Sequence, residues 1–249
     1  MARKSKTRKK FSLFRLLWPP LLVLVLLTLA EVALFGWFQP PLTVPRAVAW
    51  VNYYLDRGEP PRPRPWVPLE EISPNLRRAV LASEDQRFLQ HHGFDFVELG
   101  QALHAIWEGG RLRGASTISM QTARTMFLWP ARSWLRKLAE AYYTLCLELI
   151  WSKAKILEFY LNSVDWGPGL RGAEAAARYY FHCSASELDA EQAARLAAVL
   201  PGPHFWRPDH PNAAVARRIG WIMREMKKVP LVGGRGKIPA LSHSASKSL

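Results

Sequence analysis

Two glutamates and a set of cations are the groups in this chain best suited to chemistry. Glu84 lies in LASEDQRFLQHHGFD, where a helical reading puts Leu76, Val80, Leu81, Glu84 and Phe88 on one stripe, so a carboxylate interrupts an apolar face. Such a group is either satisfied by partners or kept there for reaction. Further along, Arg136, Lys137 and Glu140 fall on neighbouring faces of one helix. Arg124 and Arg132 come just before, and Gly114-Ala115-Ser116-Thr117 supplies small residues and hydroxyls ahead of Gln121. Cations and donors of this kind suit a diphosphate, and the two carboxylates suit proton transfer. Glycosyl transfer needs both, a base for the attacking hydroxyl and positive charge for the departing diphosphate. Taken singly, each residue also has a plainer reading. Glu84 could be paired with a buried Arg or Lys, and Asp85 beside Arg87 reads as an ordinary surface acid. His91 and His92 read as helix-end histidines, and Arg136 with Glu140 as an i,i+4 pair.

The elements that must position these groups are mainly α-helical. Ser73-Pro74 is a cap followed by proline at the first helical position, and the helix it starts is expected to close at His92-Gly93. Asp95 caps a second helix to about Glu108, ended by Gly109-Gly110. Ser116 or Thr117 starts the helix that holds Gln121, and Ser133 caps a long helix over Trp134–Trp151. Ile156, Leu157, Tyr160 and Leu161 give the next helix, ending near Asn162. Gly167, Gly169 and Gly172 mark an irregular loop before AEAAARYYF. Ser186 with Asp189 reads as a capping-box-like start to a helix that Pro201 stops, and 212–228 form the last one. No β-rich segment and no internal repeat is visible.

Ahead of this region, 1–16 form a basic leader and 17–38 an apolar run, LWPPLLVLVLLTLAEVALFGWF, long enough at ~1.5 Å per residue to cross a hydrocarbon core of ~30 Å. Pro19 and Pro20 are read into its first turn, and Glu31 must snorkel, protonate or find a partner. A cleaved signal peptide competes, but the apolar run is unbroken through Phe38, which favours an anchor. With the basic cluster cytoplasmic, the rest lies outside. Residues 39–69 are read as a proline-rich linker containing an amphipathic piece, VPRAVAWVNYYL; 70–230 as the folded domain; and 231–249 as a disordered tail. Of the net charge of +14, residues 1–38 contribute +6, leaving a basic domain that suits an anionic partner. Cys146 and Cys183 lie in no CxxC or metal-ligand spacing and read as unpaired thiols.

The motifs as a set resemble the bacterial peptidoglycan glycosyltransferases, and most closely the monofunctional biosynthetic members. EDxxFxxHxGxD is met by Glu84, Asp85, Phe88, His91, Gly93 and Asp95; GxSTxxQQ by Gly114, Ser116, Thr117 and Gln121; RKxxE by Arg136, Lys137 and Glu140. KxxILExYLN is met by Lys153, Ile156, Leu157, Glu158, Tyr160, Leu161 and Asn162, and the likeness spans about 70–210. Met120 departs from the family's first Gln, Arg124 from a usual Lys and Thr125 from a usual Asn. Restoring Gln at position 120 is expected to raise activity or leave it unchanged.

The resemblance implies a lysozyme-like fold and an inner-membrane enzyme, with a periplasmic domain, that polymerises lipid II. Glu84 is implied as general base, and Glu140 as the second catalytic carboxylate, positioning the acceptor or assisting departure. Arg124, Arg132, Arg136 and Lys137 are implied to hold the diphosphate, with Asp85, Ser116, Thr117 and Gln121 around the substrate. No cofactor is evident, though the family admits a divalent cation (Mg or Mn). Implied partners are lipid II, the growing lipid-linked glycan, the membrane and other wall-synthesis proteins, with no nucleic acid. The run Met126-Phe127-Leu128-Trp129-Pro130 is offered as a segment that dips into the bilayer. Roughly 40 residues beyond the family region leave no room for a second catalytic domain. Alternatives are a lysozyme-like glycan-cleaving enzyme, against which the cationic helix speaks, and a catalytically drifted scaffold.

Overall fold

In the computed structural model residues 13–37, 43–55, 65–109, 116–130 and 133–233 are described. The leader up to residue 12, Phe38, much of the proline-rich linker (56–64), Gly110, Gly114, Ala115, Arg132 and the tail from residue 234 lie outside the described residues. Helices dominate, as expected, and side-chain caps begin nearly all of those in the folded domain. Ser73, Asp95, Thr117, Ser133, Ser152, Asp189 and Asn212 each accept a hydrogen bond from a backbone N–H of the first turn they precede. Each such cap stabilises its helix by about 1 kcal/mol.

Helix α1 (Leu13–Trp37) starts earlier than expected and carries Pro19 and Pro20 in its second turn rather than its first. An apolar helix that spans a membrane tolerates such prolines. Its stretch Trp18–Trp37, with mean hydropathy 2.1, is long and apolar enough to cross a membrane, and it fits an anchor. Leu21, Val23, Leu24, Leu26 and Leu27 are exposed, whereas Val32 is buried against the folded domain. There the Trp151 indole donates to Val32 O, Phe35 meets Phe127 edge-on, and the Tyr143 hydroxyl donates to Glu31 Oε2 at 2.9 Å. Glu31 thus has a partner. Helix α2 (Val44–Tyr54), capped by Thr43, forms the amphipathic piece in the linker region and packs on the Gln121 helix.

The domain has two packed groups. Helix α3 (Pro74–Glu84), α9 (Ala190–Val199) and α10 (Ala213–Glu225) form one. Helix α5 (Ile118–Phe127) against α6 (Trp134–Ile150) and α7 (Lys153–Ser163) forms the other. In α7 every residue from Ile156 to Ser163 is buried, the signature of a helix surrounded by protein. Asn162 pairs with both backbone groups of Val67, and the Leu69 N–H donates to Glu158, which ties the entering chain to α7. A two-stranded ribbon follows, β1 (Asp165–Gly167) antiparallel to β2 (Leu170–Arg171), with Asp165 opposite Arg171 and Gly167 opposite Leu170. Gly172 closes it at φ +89, where a side chain would also strike Asn162 O at 2.9 Å. Helix α8 (Ala173–Phe181) then packs on α7.

Several expectations need correcting. Helix α3 does not run on to His92: it ends at Glu84, because the Asp85 carboxylate turns inward and the chain passes through turns to Gly93. Phe88 reaches the core from that turn, not from a helical stripe. Helix α9 starts from Asp189, whose capping-box partner is Gln192, while the Ser186 hydroxyl meets Ser184. The short ribbon replaces an expected absence of strands. Met126, Phe127 and Leu128 are core residues, so the run 126–130 does not dip into a bilayer as a unit. Cys146 and Cys183 are both free thiols.

Candidate active site

Three elements converge on an open cleft of about 520 Å³: the C-terminal end of α3, the start of α5 and the inner face of α10. Helix α4 (Phe96–Trp107) closes one side with Glu98 and Gln101. Because α3 ends at Glu84, its last residue and the turn that follows, Asp85 and Gln86, all line this space.

Glu84 is partly buried and both of its oxygens are engaged. Oε1 accepts from the Ser83 hydroxyl at 3.0 Å and lies 3.4 Å from Arg218 Nη2. Oε2 accepts from Gln121 Nε2 at 3.2 Å. The Gln121 carbonyl in turn accepts from the Tyr160 hydroxyl at 3.3 Å. Burial first, and then the Glu84 carboxylate, push the Tyr160 phenol well above its ordinary value, so it remains a proton donor. The carboxylate therefore sits among neutral donors with one long cationic contact, open on its cleft side: a group that can accept a proton.

Asp85 is buried, not a surface acid. His91 Nε2 donates to it at 2.9 and 3.1 Å, and the Ile118 N–H at 3.0 Å. The Thr117 hydroxyl donates to Gly93 O at 2.6 Å while capping α5. Gly93, at φ +90, sits where a side chain would meet Thr144 Cγ2 at 2.7 Å. These bonds join the turn after Glu84 to the start of α5, so Asp85 and Thr117 brace the site from within, although both also line the cleft. Ser116 lines it as well.

Glu140 is placed differently. It is 0 % exposed on α6, with Arg136 Nη1 at 3.0 Å from one oxygen and Lys137 Nζ at 2.5 Å from the other. None of these three lines the cleft. Arg124 is exposed one turn beyond Gln121 on α5. The short connection from α5 to α6 makes the two helices antiparallel neighbours, so Arg124 and the first turns of α6 share one end of that pair. Arg132 falls in the connection, outside the described residues. Met120 is buried, at 9 % exposure, and does not line the cleft.

A divalent cation can be tested against these donors. Among the described residues, Asp85, His91 and Asp95 alone offer three ligand atoms close together, within 4.8 Å. Asp85 is bonded to His91 and to Ile118 N, and Arg87 Nε lies 3.0 Å from Asp95 Oδ2, so the charge of the cluster is already met by a guanidinium. With Arg87 already meeting its charge and an imidazole as its third donor, this cluster does not suit a hard Mg or Mn ion.

The sequence reading did not single out Ser83, Arg218, Trp221, Glu98 or Gln101, all of which line the cleft. Arg218 and Trp221 stand three apart on a strongly amphipathic helix, but nothing local ties them to a residue 134 positions away.

A carboxylate open to a cleft, with a helix pair rich in cations in the same domain, has the parts that group transfer onto a hydroxyl requires. Residues 53–227 match the transglycosylase family, and the chain belongs to it: a lysozyme-like glycosyltransferase domain behind one N-terminal apolar helix. Among its relatives is a protein named biosynthetic peptidoglycan transglycosylase from Pseudomonas entomophila (strain L48), 49% identical over 223 residues, 88% of this chain and 92% of that one. Proteins of the same name from Pseudomonas syringae pv. syringae (strain B728a) and Pseudomonas aeruginosa (PAO1) are 46% identical over 214 residues (86% and 89% of the two chains) and 45% identical over 215 (86% and 93%).

Proposed function

We propose that this enzyme polymerises lipid II into β-1,4-linked glycan strands, with Glu84 as general base. Glu84 takes the proton from the 4-hydroxyl of the acceptor sugar. That oxygen attacks the anomeric carbon of the growing chain, the bond from this carbon to the diphosphate oxygen breaks, and undecaprenyl diphosphate departs with the electron pair. Displacement inverts the centre. Ser116, Thr117 and Gln121 line the donor side, and Arg124, Arg132, Arg136 and Lys137 meet the charge of the departing diphosphate. Glu140, sealed between Arg136 and Lys137, acts by holding those two cations in place. These cationic side chains are the protein's own means of neutralising the diphosphate.

The observation that carries this reading is the Glu84 carboxylate, open to the cleft and supported by uncharged donors. A second one supports a lipid-linked substrate. Phe96, Leu99, Leu103, Ile106 and Trp107 are exposed on the far side of α4 from Glu98 and Gln101, and Trp134, Leu135, Leu138 and Leu149 are exposed on α6. Apolar surface this extensive suits a bilayer rather than water. It supports a domain seated on the outer face of the inner membrane, N-terminus cytoplasmic, taking its substrate from the lipid beside α4. The basic domain suits an anionic lipid diphosphate, with no need to invoke nucleic acid. Other wall-synthesis proteins are the expected partners.

The test is incubation of the full chain with lipid II, wild type beside Glu84→Gln. Glycan strands from the wild type and none from the variant are expected. Cleavage of preformed wall without polymer would instead make the protein a glycan-cleaving enzyme.

A further inference from the structure

We propose that Tyr160 is a positioning residue for the reaction: its buried hydroxyl, acting through the Gln121 side chain, holds the Glu84 carboxylate in its cleft-facing position. This rests on reading Glu84 as the base.

Tyr160, Gln121 and Glu84 lie on three helices, α7, α5 and α3, and form a single line of hydrogen bonds. The direction of that line is forced. A carboxylate can only accept, so Gln121 must turn its amide nitrogen toward Glu84. Its amide oxygen then faces Tyr160, which must donate. The opposite orientation of the amide would set oxygen against oxygen at Glu84. Tyr160 is 1 % exposed, and a phenol with no water at hand keeps its hydroxyl only where it has a partner. Packing alone would be served by phenylalanine, as at Phe159 beside it. The phenol stays protonated at any working pH, so the restraint does not switch off. Thr125 donates to the Gln121 backbone oxygen, which steadies the helix but leaves the side-chain amide to Tyr160.

The experiment is a double-mutant cycle on the full chain with lipid II, measuring kcat, KM and Tm for wild type, Tyr160→Phe, Gln121→Ala and the double variant, with Glu84→Gln alongside. Tyr160→Phe should lower kcat by about tenfold, the rate equivalent of one net hydrogen bond. KM should stay within about twofold, because the substrate itself has lost no contact. The double variant should be no slower than Gln121→Ala, since Tyr160 acts only through that amide. Losses that multiply, a loss carried by KM alone, an unchanged kcat in Tyr160→Phe, or a fall in activity that follows a collapse in Tm would each overturn the inference. Activity retained by Glu84→Gln would instead remove the base on which it rests, whereas an inactive Glu84→Gln beside a fully active Tyr160→Phe would remove the inference alone.

Discussion

Glu84 and Glu140 are the same side chain in two opposite settings. Glu84 ends a helix at a cleft, and its oxygens are met by a hydroxyl, an amide and one guanidinium at 3.4 Å. Glu140 lies in the middle of the long helix α6, fully buried, with a cation on each oxygen. A carboxylate that is fully buried away from the cleft and clamped by two cations is out of reach of a substrate hydroxyl, and protonating it would leave both cations unpaired. One held mainly by neutral donors at the edge of a cleft keeps its place and leaves a side open to a substrate. On the proposed mechanism the helix-end glutamate serves proton transfer and the mid-helix one holds cations.

The largest expected effect comes from Glu84→Gln. The amide preserves shape and most hydrogen bonds but cannot take a proton, so polymerisation should fall by about a thousandfold with Tm nearly unchanged. Glu140→Gln should show the opposite balance. Two cations would lose their buried counter-charge; because Lys137 is 42% exposed and partly screened, stability should fall by about 2 kcal/mol, short of the full cost of a broken buried pair. Thermal melting should register this as a drop of roughly 4–8 °C, with activity reduced by about ten- to thirtyfold, chiefly through KM for lipid II, as Arg136 and Lys137 lose their orientation. If Glu140→Gln matched Glu84→Gln in kcat while keeping its Tm, the contrast between the two glutamates would collapse.

Arg218→Gln narrows the comparison to the one cation that Glu84 touches among the described residues. Arg218 Nη2 also donates to the Ser83 hydroxyl at 2.7 Å, so it braces Glu84 both directly and through Ser83. Glutamine can replace part of that bracing but not the charge. Lipid II turnover should fall by about fivefold, less than for Glu140→Gln, as expected for a long contact on a partly exposed pair. An effect near that of Glu84→Gln would mean that the cation, and not the neutral donors, sets the state of the base.

How much of this was legible in the sequence depended on the range of the interactions. Caps such as Asp95 and Ser133 signal helix starts through bonds two or three residues away, and those starts are where they were expected. The end of α3 was not, because the group that diverts the chain, Asp85, bonds to Ile118 on another helix, 33 residues on. Periodicity saw Leu76 to Phe88 as one stripe since Phe88 is indeed buried, though it arrives there by a turn. Glu84, Gln121 and the Arg136–Lys137–Glu140 cluster could be picked out by residue type and motif. Arg218 and Tyr160 as neighbours of the base could not, for no local pattern encodes a contact made only when α3, α5, α7 and α10 come together.

The smallest expected effect tests whether facing, rather than residue type, decides which positions of α5 matter. Gln121 lines the cleft, and Met120, one helical step of roughly 100° around, is buried away from it. The likeness to the family marks Met120 as a departure whose reversal should help or do nothing. Its buried position adds a cost, because Met120→Gln places an amide at a buried site, and burying such a group without a partner is destabilising by about 1–3 kcal/mol. Turnover of lipid II below the melting range should therefore stay within about twofold of wild type, while Tm falls by several degrees. A clear rise in kcat would show that position 120 reaches the substrate after all, and that the inner face of α5 turns toward the cleft when the site is filled.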